Sequence, residues 1–308
     1  MYKILVCDPI ADSAIRILKE SPDVELLQAF NSDQSVIKEM LADVNAVIVR
    51  SATILTQELI ESAGNLKVIG RAGSGLDNVD TACAARKGIR VLNTPGTNAP
   101  AVAELTIGFL FALARHIPAM DEALKKGEWA KKGYSGSELR GKTLGLVGCG
   151  GIGKLVARSA AALGMQILIA NRSTVLIDNL EFEQLPLEKL LGRCDYISVH
   201  LPKNEKTAGL INTEAFCEMK QGACLINTSR GGIVNEKALL TALKNGNISG
   251  AAIDVFEKEP DYNKELAALP NVIATPHIGA ASKESQERVG IQIVDSVLEY
   301  LRSRYIFI

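Results

Sequence analysis

Short apolar runs alternate with amphipathic stretches along most of this chain. In the first third the runs fall at residues 4–7, 24–28, 46–49, 67–70 and 90–92. Apolar runs of this length between helix-length amphipathic stretches predict parallel strands joined by crossover helices. The same rhythm resumes at 143–147 and continues at 166–170, 196–199, 223–227, 250–255 and 271–275, a second series of six expected strands. Between the two series lie a turn-rich linker at 93–100, expected to act as a hinge, and a mostly apolar helix from Val102 to His116. A last helix, from about Ser282 to Arg302, would leave the second sheet and pack back on the first.

The second series opens on a glycine turn. The strand at 143–147 runs into Gly148-x-Gly150-x-x-Gly153, after which Leu155, Val156, Ala160 and Leu163 recur at helical spacing. In a dinucleotide site Gly148 allows the tight turn, Gly150 lets a pyrophosphate approach the backbone, and Gly153 lets the helix pack on its strand. The helix start offers free N–H groups and a positive dipole end to the phosphates. Cys149 sits there too, where a thiol is expected to have a lowered pKa. The fold class expected is therefore α/β, with two Rossmann-like open parallel-sheet domains and a cleft between them. By pattern alone the first domain covers residues 1–98, the dinucleotide-binding domain follows the linker, and the last helix could rejoin the first domain.

Composition narrows the picture. A chain of 308 residues suits two domains, and a net charge of -1 carries no footprint for nucleic acid or a membrane surface. No apolar run reaches the roughly 20 residues needed to span a bilayer. The six cysteines are scattered without a C-x-x-C pair, as in reduced thiols, and no metal-ligand spacing occurs. These features point to a cytoplasmic protein acting on a small molecule.

The second strand of the nucleotide half ends in Asn171-Arg172-Ser173, with no carboxylate to take ribose hydroxyls. Asn171 would not repel a 2'-phosphate, Arg172 could pair with it and Ser173 could donate to it, so NADP(H) is favoured over NAD(H). The competing reading has Arg172 stacking on adenine while Asn171 holds NAD. Three later loops carry candidate chemistry: 227–232 with Arg230, 254–260 with Asp254 and Glu259, and 275–280 with His277. Arg230 suits a substrate carboxylate, His277 suits a proton donor working near neutral pH, and Glu259 could fix the imidazole. His116 reads as a helix C-terminal charge, and His200 as a structural hydrogen-bond former that could also lie near the cofactor. In the first half, 49–53 with Arg50 and 70–80 with Arg71 lie at strand ends, where open α/β sheets collect ligands.

Taken in order, the glycine turn, Asn227-Thr228-Ser229-Arg230-Gly231-Gly232, Glu259-Pro260 and Thr275-Pro276-His277-Ile278-Gly279 resemble the signatures of the D-2-hydroxyacid dehydrogenases over essentially the whole chain. The 49–53 and 70–80 loops are most similar to the phosphoglycerate dehydrogenase branch. The resemblance implies a catalytic trio of Arg230, Glu259 and His277, and Asp254 binding the nicotinamide carboxamide. It further implies a cofactor lining of Ser74, Gly148, Gly150, Gly151, Ile152, Gly153, Asn171, Arg172, Ser173, Leu201, Thr228, Arg230, Asp254, His277, Gly279 and Ala280. Arg50, Ser51, Arg71 and Gly73 would face the substrate.

The same resemblance implies a homodimer whose split, flavodoxin-like substrate-binding domain takes residues 1–98 plus 283–308, with residues 99–282 inserted as the dinucleotide-binding domain; the arm around Trp129 would reach the partner, and Lys131 or Lys132 would contribute a phosphate contact. The expected reaction is hydride transfer between NAD(P) and a 2-hydroxy acid, foremost 3-phosphoglycerate, as in serine biosynthesis. The alternatives are an NADPH-dependent glyoxylate or hydroxypyruvate reductase and, from another class, a non-catalytic dinucleotide-sensing protein. The chain stops near residue 308 without the regulatory extension of some phosphoglycerate dehydrogenases, so serine feedback is not expected.

Overall fold

The computed structural model describes residues 1–132 and 134–303. Its first sheet holds β1 (Tyr2–Val6), β2 (Val24–Gln28), β3 (Ala46–Val49), β4 (Val68–Arg71) and β5 (Arg90–Asn93) in the order β2-β1-β3-β4-β5, all parallel. Parallel strands need crossovers, and α1 (Asp12–Glu20), α2 (Gln34–Leu41), α3 (Gln57–Ser62) and α4 (Thr81–Arg86) supply them. All four residues of β3 are buried, as a central strand covered on both faces requires. The strand order reverses between β1 and β3, and in such sheets ligands gather beyond the carboxyl ends at that point.

The chain then enters a second unit through α5 (Ala99–Arg115), which starts three residues earlier than the apolar pattern indicates. His116 follows with φ 50°, breaking the helix before α6 (Ile117–Lys125). His116 thus stands at the C-terminal end of α5 and marks the break between two helices, and its exposed ring meets Tyr134 edge-on at 5.8 Å. No single described helix is long and apolar enough to cross a membrane. The bent pair α5 and α6 passes that test by length and composition only, and nine residues of α5 are buried in the core.

The second sheet contains β6 (Thr143–Val147), β7 (Gln166–Ala170), β8 (Glu183–Gln184), β9 (Tyr196–Val199), β10 (Ala223–Asn227), β11 (Ile248–Ile253) and β12 (Val272–Ala274). Its order, β12-β11-β10-β9-β6-β7-β8, is the doubly wound arrangement, with the glycine turn leaving the central β6. Seven strands replace the six expected. β8 escapes the sequence pattern because it is two exposed residues with no apolar signal, recruited only by pairing with Leu168 and Ile169. The helices are α7 (Gly151–Ala162), α8 (Leu187–Leu191), α9 (Thr213–Glu218), α10 (Glu236–Lys244) and α11 (Lys264–Ala267). Asn212, Asn235 and Asn263 cap the last three by accepting N–H bonds from Ala215, Ala238 and Leu266.

The last helix, α12 (Lys283–Ser303), returns to the first sheet. Val289, Ile293, Val294, Val297, Leu298 and Leu301 join one core with Ile4, Val6, Ile48 and Val68. Gly70 of β4 permits this approach, because a methyl there would lie 2.8 Å from Val297. Arg302 adds two hydrogen bonds to Asp23, at 2.7 and 2.9 Å. By contacts the chain divides into Met1–Asn98 with the segment from Ala281 onward, and Ala99–Ala280. Residues 304–308 of the expected first domain, and Gly133 of the Trp129 arm, lie outside the described residues.

Candidate active site

The glycine turn shows why each glycine stands where it does. Gly148 has φ 91°, and a side chain there would meet the His200 carbonyl at 2.5 Å. A methyl on Gly153 would lie 2.8 Å from the Gly148 carbonyl oxygen. Around Gly150 the space is open, with nothing within 4 Å of where a Cβ would stand. That opening lies at the start of α7, whose first N–H groups have no partner within the helix. Open space, free donors and a positive helix end together fit a pyrophosphate.

Beside this turn, Asn171 at the tip of β7 accepts the Cys149 N–H at 3.1 Å through its side-chain oxygen. Its amide nitrogen donates to the Ser173 carbonyl and hydroxyl oxygens at 2.9 and 3.2 Å. Gln184 of β8 then fastens the same loop, donating to the carbonyls of Asn171 and Ser173 and accepting from Val175 N–H. Arg172 and Ser173 are exposed. The expectation of a lowered Cys149 pKa is overturned: the residue is buried, and loss of hydration pushes the thiol up more than nearby Lys154 brings it down. A helix N-terminus activates a thiol only where water reaches it.

His200 makes the local hydrogen bond expected of it. Its Nε2 meets the Ser198 hydroxyl at 2.9 Å, and burial brings the imidazole down to about 4, so it is neutral near pH 7. Leu201 follows and packs over Gly148, whose added Cβ would be 2.7 Å from it.

The carboxyl ends of β10, β11 and β12 carry the other candidates. After β10, Asn227 shapes the loop by accepting Ser229 N–H at 3.1 Å and hydroxyl at 2.7 Å, and by donating to the Arg230 carbonyl at 3.1 Å. Thr228 is buried, and its hydroxyl pairs with that of Thr106 on α5 at 2.9 Å. The Arg230 guanidinium donates to the Ser229 carbonyl at 2.8 Å, and its charge acts on Glu259.

Asp254, after β11, is 1% exposed and holds the following turn. Its carboxylate accepts the Thr275 hydroxyl at 2.6 Å and the N–H groups of Ile278 and Gly279 at 2.8 Å each. His277 N–H donates to the Asp254 carbonyl at 2.9 Å. His277 itself has φ 54°, a left-handed conformation that a side-chain-bearing residue adopts at some cost, and the Asp254 contacts on both sides fix it there. Ala280 ends the turn, half-buried.

The structure brings Glu259 and His277 together: Nδ1 of the imidazole lies 2.7 Å from Oε2 of the carboxylate. Glu259 Oε1 accepts Phe256 N–H at 2.9 Å. Burial alone would raise the Glu259 carboxyl, but the bonds from His277 and Phe256 N–H and the charges of His277 and Arg230 hold it below its ordinary value. An ionised Glu259 requires a hydrogen on Nδ1, which leaves Nε2 to face a reactant. An arginine, a proton-bearing imidazole and its carboxylate can bind an acidic substrate and move a proton at a carbonyl or hydroxyl oxygen.

In the first unit, register places Val49 opposite Arg71, so Arg50 and Arg71 stand at neighbouring strand ends. The Arg71 guanidinium lies over Gly73, where an added Cβ would be 1.7 Å from Nη1. Ser51 is exposed, and Ser74 donates to Asn98 at 2.8 Å and to the Thr94 carbonyl at 3.2 Å. Sequence reasoning missed Asp8, which is buried and accepts Arg50 N–H at 2.5 Å, Thr53 N–H at 3.1 Å and the Thr53 hydroxyl at 2.7 Å. It missed Asn78 as well, which donates to the carbonyls of Arg50 and Thr53 at 3.0 and 2.6 Å. Only the position of Asp8 just after a strand could have drawn notice.

Comparison with known proteins bears on this geometry. Residues 107–279 match the model for the NAD-binding domain of D-isomer specific 2-hydroxyacid dehydrogenases. A hydroxypyruvate reductase of Thermotoga maritima is 43% identical over 303 residues, covering 97% of this chain and 98% of that protein. A D-3-phosphoglycerate dehydrogenase of Methanocaldococcus jannaschii is 42% identical over 98% of this chain, which spans 58% of that longer protein. Among solved structures, an NADPH-dependent glyoxylate/hydroxypyruvate reductase from Sinorhizobium meliloti superposes with a TM-score of 0.87 at 32% identity, covering 98% of this chain and 95% of that one. The glycine turn, the three loops and these matches place the chain in the D-isomer specific 2-hydroxyacid dehydrogenase family, whose members use a nicotinamide cofactor.

Proposed function

We propose that the protein interconverts 3-phosphoglycerate and 3-phosphohydroxypyruvate. The observation that carries this reading is the pair of arginines, Arg50 and Arg71, at adjacent strand ends of the first sheet. Two guanidinium groups suit a doubly charged phosphate, while Arg230 suits the substrate carboxylate. A nicotinamide cofactor, its pyrophosphate held at the glycine turn, would supply or accept the hydride at C2. Arg230 polarises the keto group, and His277 Nε2 gives its proton to the oxygen in reduction and takes it back in oxidation. Glu259 stays ionised, keeps Nδ1 protonated and stabilises the imidazolium. The absence of a carboxylate at Asn171-Arg172-Ser173 supports NADP(H). Trp129, 81% exposed and flanked by exposed Lys131 and Lys132, supports a homodimer contact through this arm. Serine biosynthesis in the cytoplasm is the setting this reaction implies.

A second reading, glyoxylate or hydroxypyruvate reduction, is favoured by the 43% identity to the Thermotoga hydroxypyruvate reductase. Steady-state oxidation of NADH and NADPH with 3-phosphohydroxypyruvate, hydroxypyruvate and glyoxylate separates the two. The first reading expects kcat/KM for the phosphorylated acid to be at least about 100-fold higher, since two charge-assisted contacts are each worth roughly 1.5–3 kcal/mol. Equal or better use of the unphosphorylated acids would establish the second. An Arg50→Ala variant should raise KM for the phosphorylated acid alone.

A further inference from the structure

Three carboxylates are buried among the described residues: Asp8, Asp254 and Glu236. Asp8 grips the Arg50 loop and Asp254 grips the His277 turn, as described above. Glu236 is the first residue of α10, a place where a glutamate ordinarily faces water and complements the helix dipole. Here it is 8% exposed and turned to the loop that carries Glu259. Its Oε1 accepts the Glu257 N–H at 2.5 Å, while the Glu257 carboxylate accepts the Glu236 N–H at 3.0 Å.

A second contact presses the same loop into place. At Gly231, next to Arg230, an added Cβ would lie 1.6 Å from the Phe256 carbonyl oxygen and 2.9 Å from Glu257 N. The Phe256–Glu257 peptide therefore rests directly on the turn that follows Arg230. Phe256 N–H in turn holds Glu259, which holds His277. This arrangement is maintained at a cost. Burial raises the Glu236 carboxyl above its ordinary value, and the charges of Glu257 and Glu259 add to that, opposed by the Glu257 backbone bond and the Asn263 side chain.

We propose that Glu236 is a positioning residue that acts through Glu257 to seat the Glu259 loop against the Arg230 turn and so align the Glu259–His277 pair. The proposal rests on the catalytic reading of Arg230, Glu259 and His277. Its test compares Glu236→Ala, Glu236→Gln, Glu257→Ala and His277→Ala by steady-state kinetics with hydroxypyruvate and 3-phosphohydroxypyruvate, NAD(P)H fluorescence titration and thermal melting.

Glu236→Ala should lower kcat by about tenfold to a hundredfold, the scale of a small misplacement of reacting groups, with NAD(P)H affinity unchanged. Glu236→Gln keeps the acceptor for Glu257 N–H and should recover kcat to within about threefold of wild type. Glu257→Ala, at an exposed position, should show a kcat loss even if Glu236→Ala does not fold. Wild-type kcat in folded Glu236→Ala or in Glu257→Ala would overturn the proposal, as would a kcat loss that only follows the unfolded fraction. Full turnover in His277→Ala would instead overturn the catalytic reading beneath it.

Discussion

The contact between Glu259 and His277 gives the imidazole a single carboxylate partner, and the pH behaviour of that carboxylate follows from the direction of its shift. Because the folded pKa is depressed, the stability Glu259 contributes is fully present above the ordinary glutamate value and is lost as pH falls through the lower folded value. Glu259→Gln should therefore reduce the acid sensitivity of the melting temperature below that ordinary value. It should also cost about 100-fold or more in kcat, because a neutral amide does not stabilise the imidazolium. Cofactor affinity measured by fluorescence should be unchanged. The thiols give a second check at this scale: of the six cysteines only Cys217 is exposed. Iodoacetamide near pH 7.5 should label Cys217 first and leave Cys149 intact in the native protein; rapid loss of Cys149 would contradict its burial.

At the scale of single elements, strand ends and the loops beyond them carry both function and strain. Gly148 joins β6 to α7 in a conformation that costs a residue with a side chain about 1–2 kcal/mol, before the collision with the His200 carbonyl is counted. Gly148→Ala should lower the melting temperature and weaken NAD(P)H binding together, whereas unchanged binding would mean that the turn does not form the nucleotide site. Asp8 offers a contrasting case in the first sheet. Removing its carboxylate leaves two backbone N–H groups and a hydroxyl without an acceptor, a loss of about 1–3 kcal/mol for each buried group. Asp8→Ala should raise KM for the keto acid while leaving NAD(P)H affinity intact, since its loop belongs to the other unit.

Over the whole molecule, the first unit is built from two distant pieces of chain. Six aliphatic residues of α12 enter its core, and at roughly 1.5–3 kcal/mol per fully buried side chain they amount to about the net stability of a domain. A chain ending at residue 282 should lose the first unit to limited proteolysis while the 99–280 unit resists and still binds nucleotide. Survival of both units would show that α12 is dispensable.

Much of this design is local and was readable in the chain. Apolar runs are set by neighbours in sequence, so eleven of the twelve strands lie within about two residues of where their pattern places them. The glycine turn was legible because its spacing is a property of consecutive backbone angles. Arg230, Glu259 and His277 could be named because each sits just beyond a strand, and a doubly wound sheet sends such loops to one edge.

What tertiary structure decided are the contacts between residues far apart. Glu259 meets His277 across 18 positions, Glu236 meets Glu257 across 21, and Asp8 meets Arg50 across 42. The burial of Cys149 and the role of two-residue β8 likewise have no signature in their own neighbourhoods. A carboxylate in a sequence looks the same whether it will face water or accept a buried N–H. Its environment is settled only when strands pair and helices close over them, because desolvation and hydrogen-bond geometry belong to the assembled packing and not to the residue.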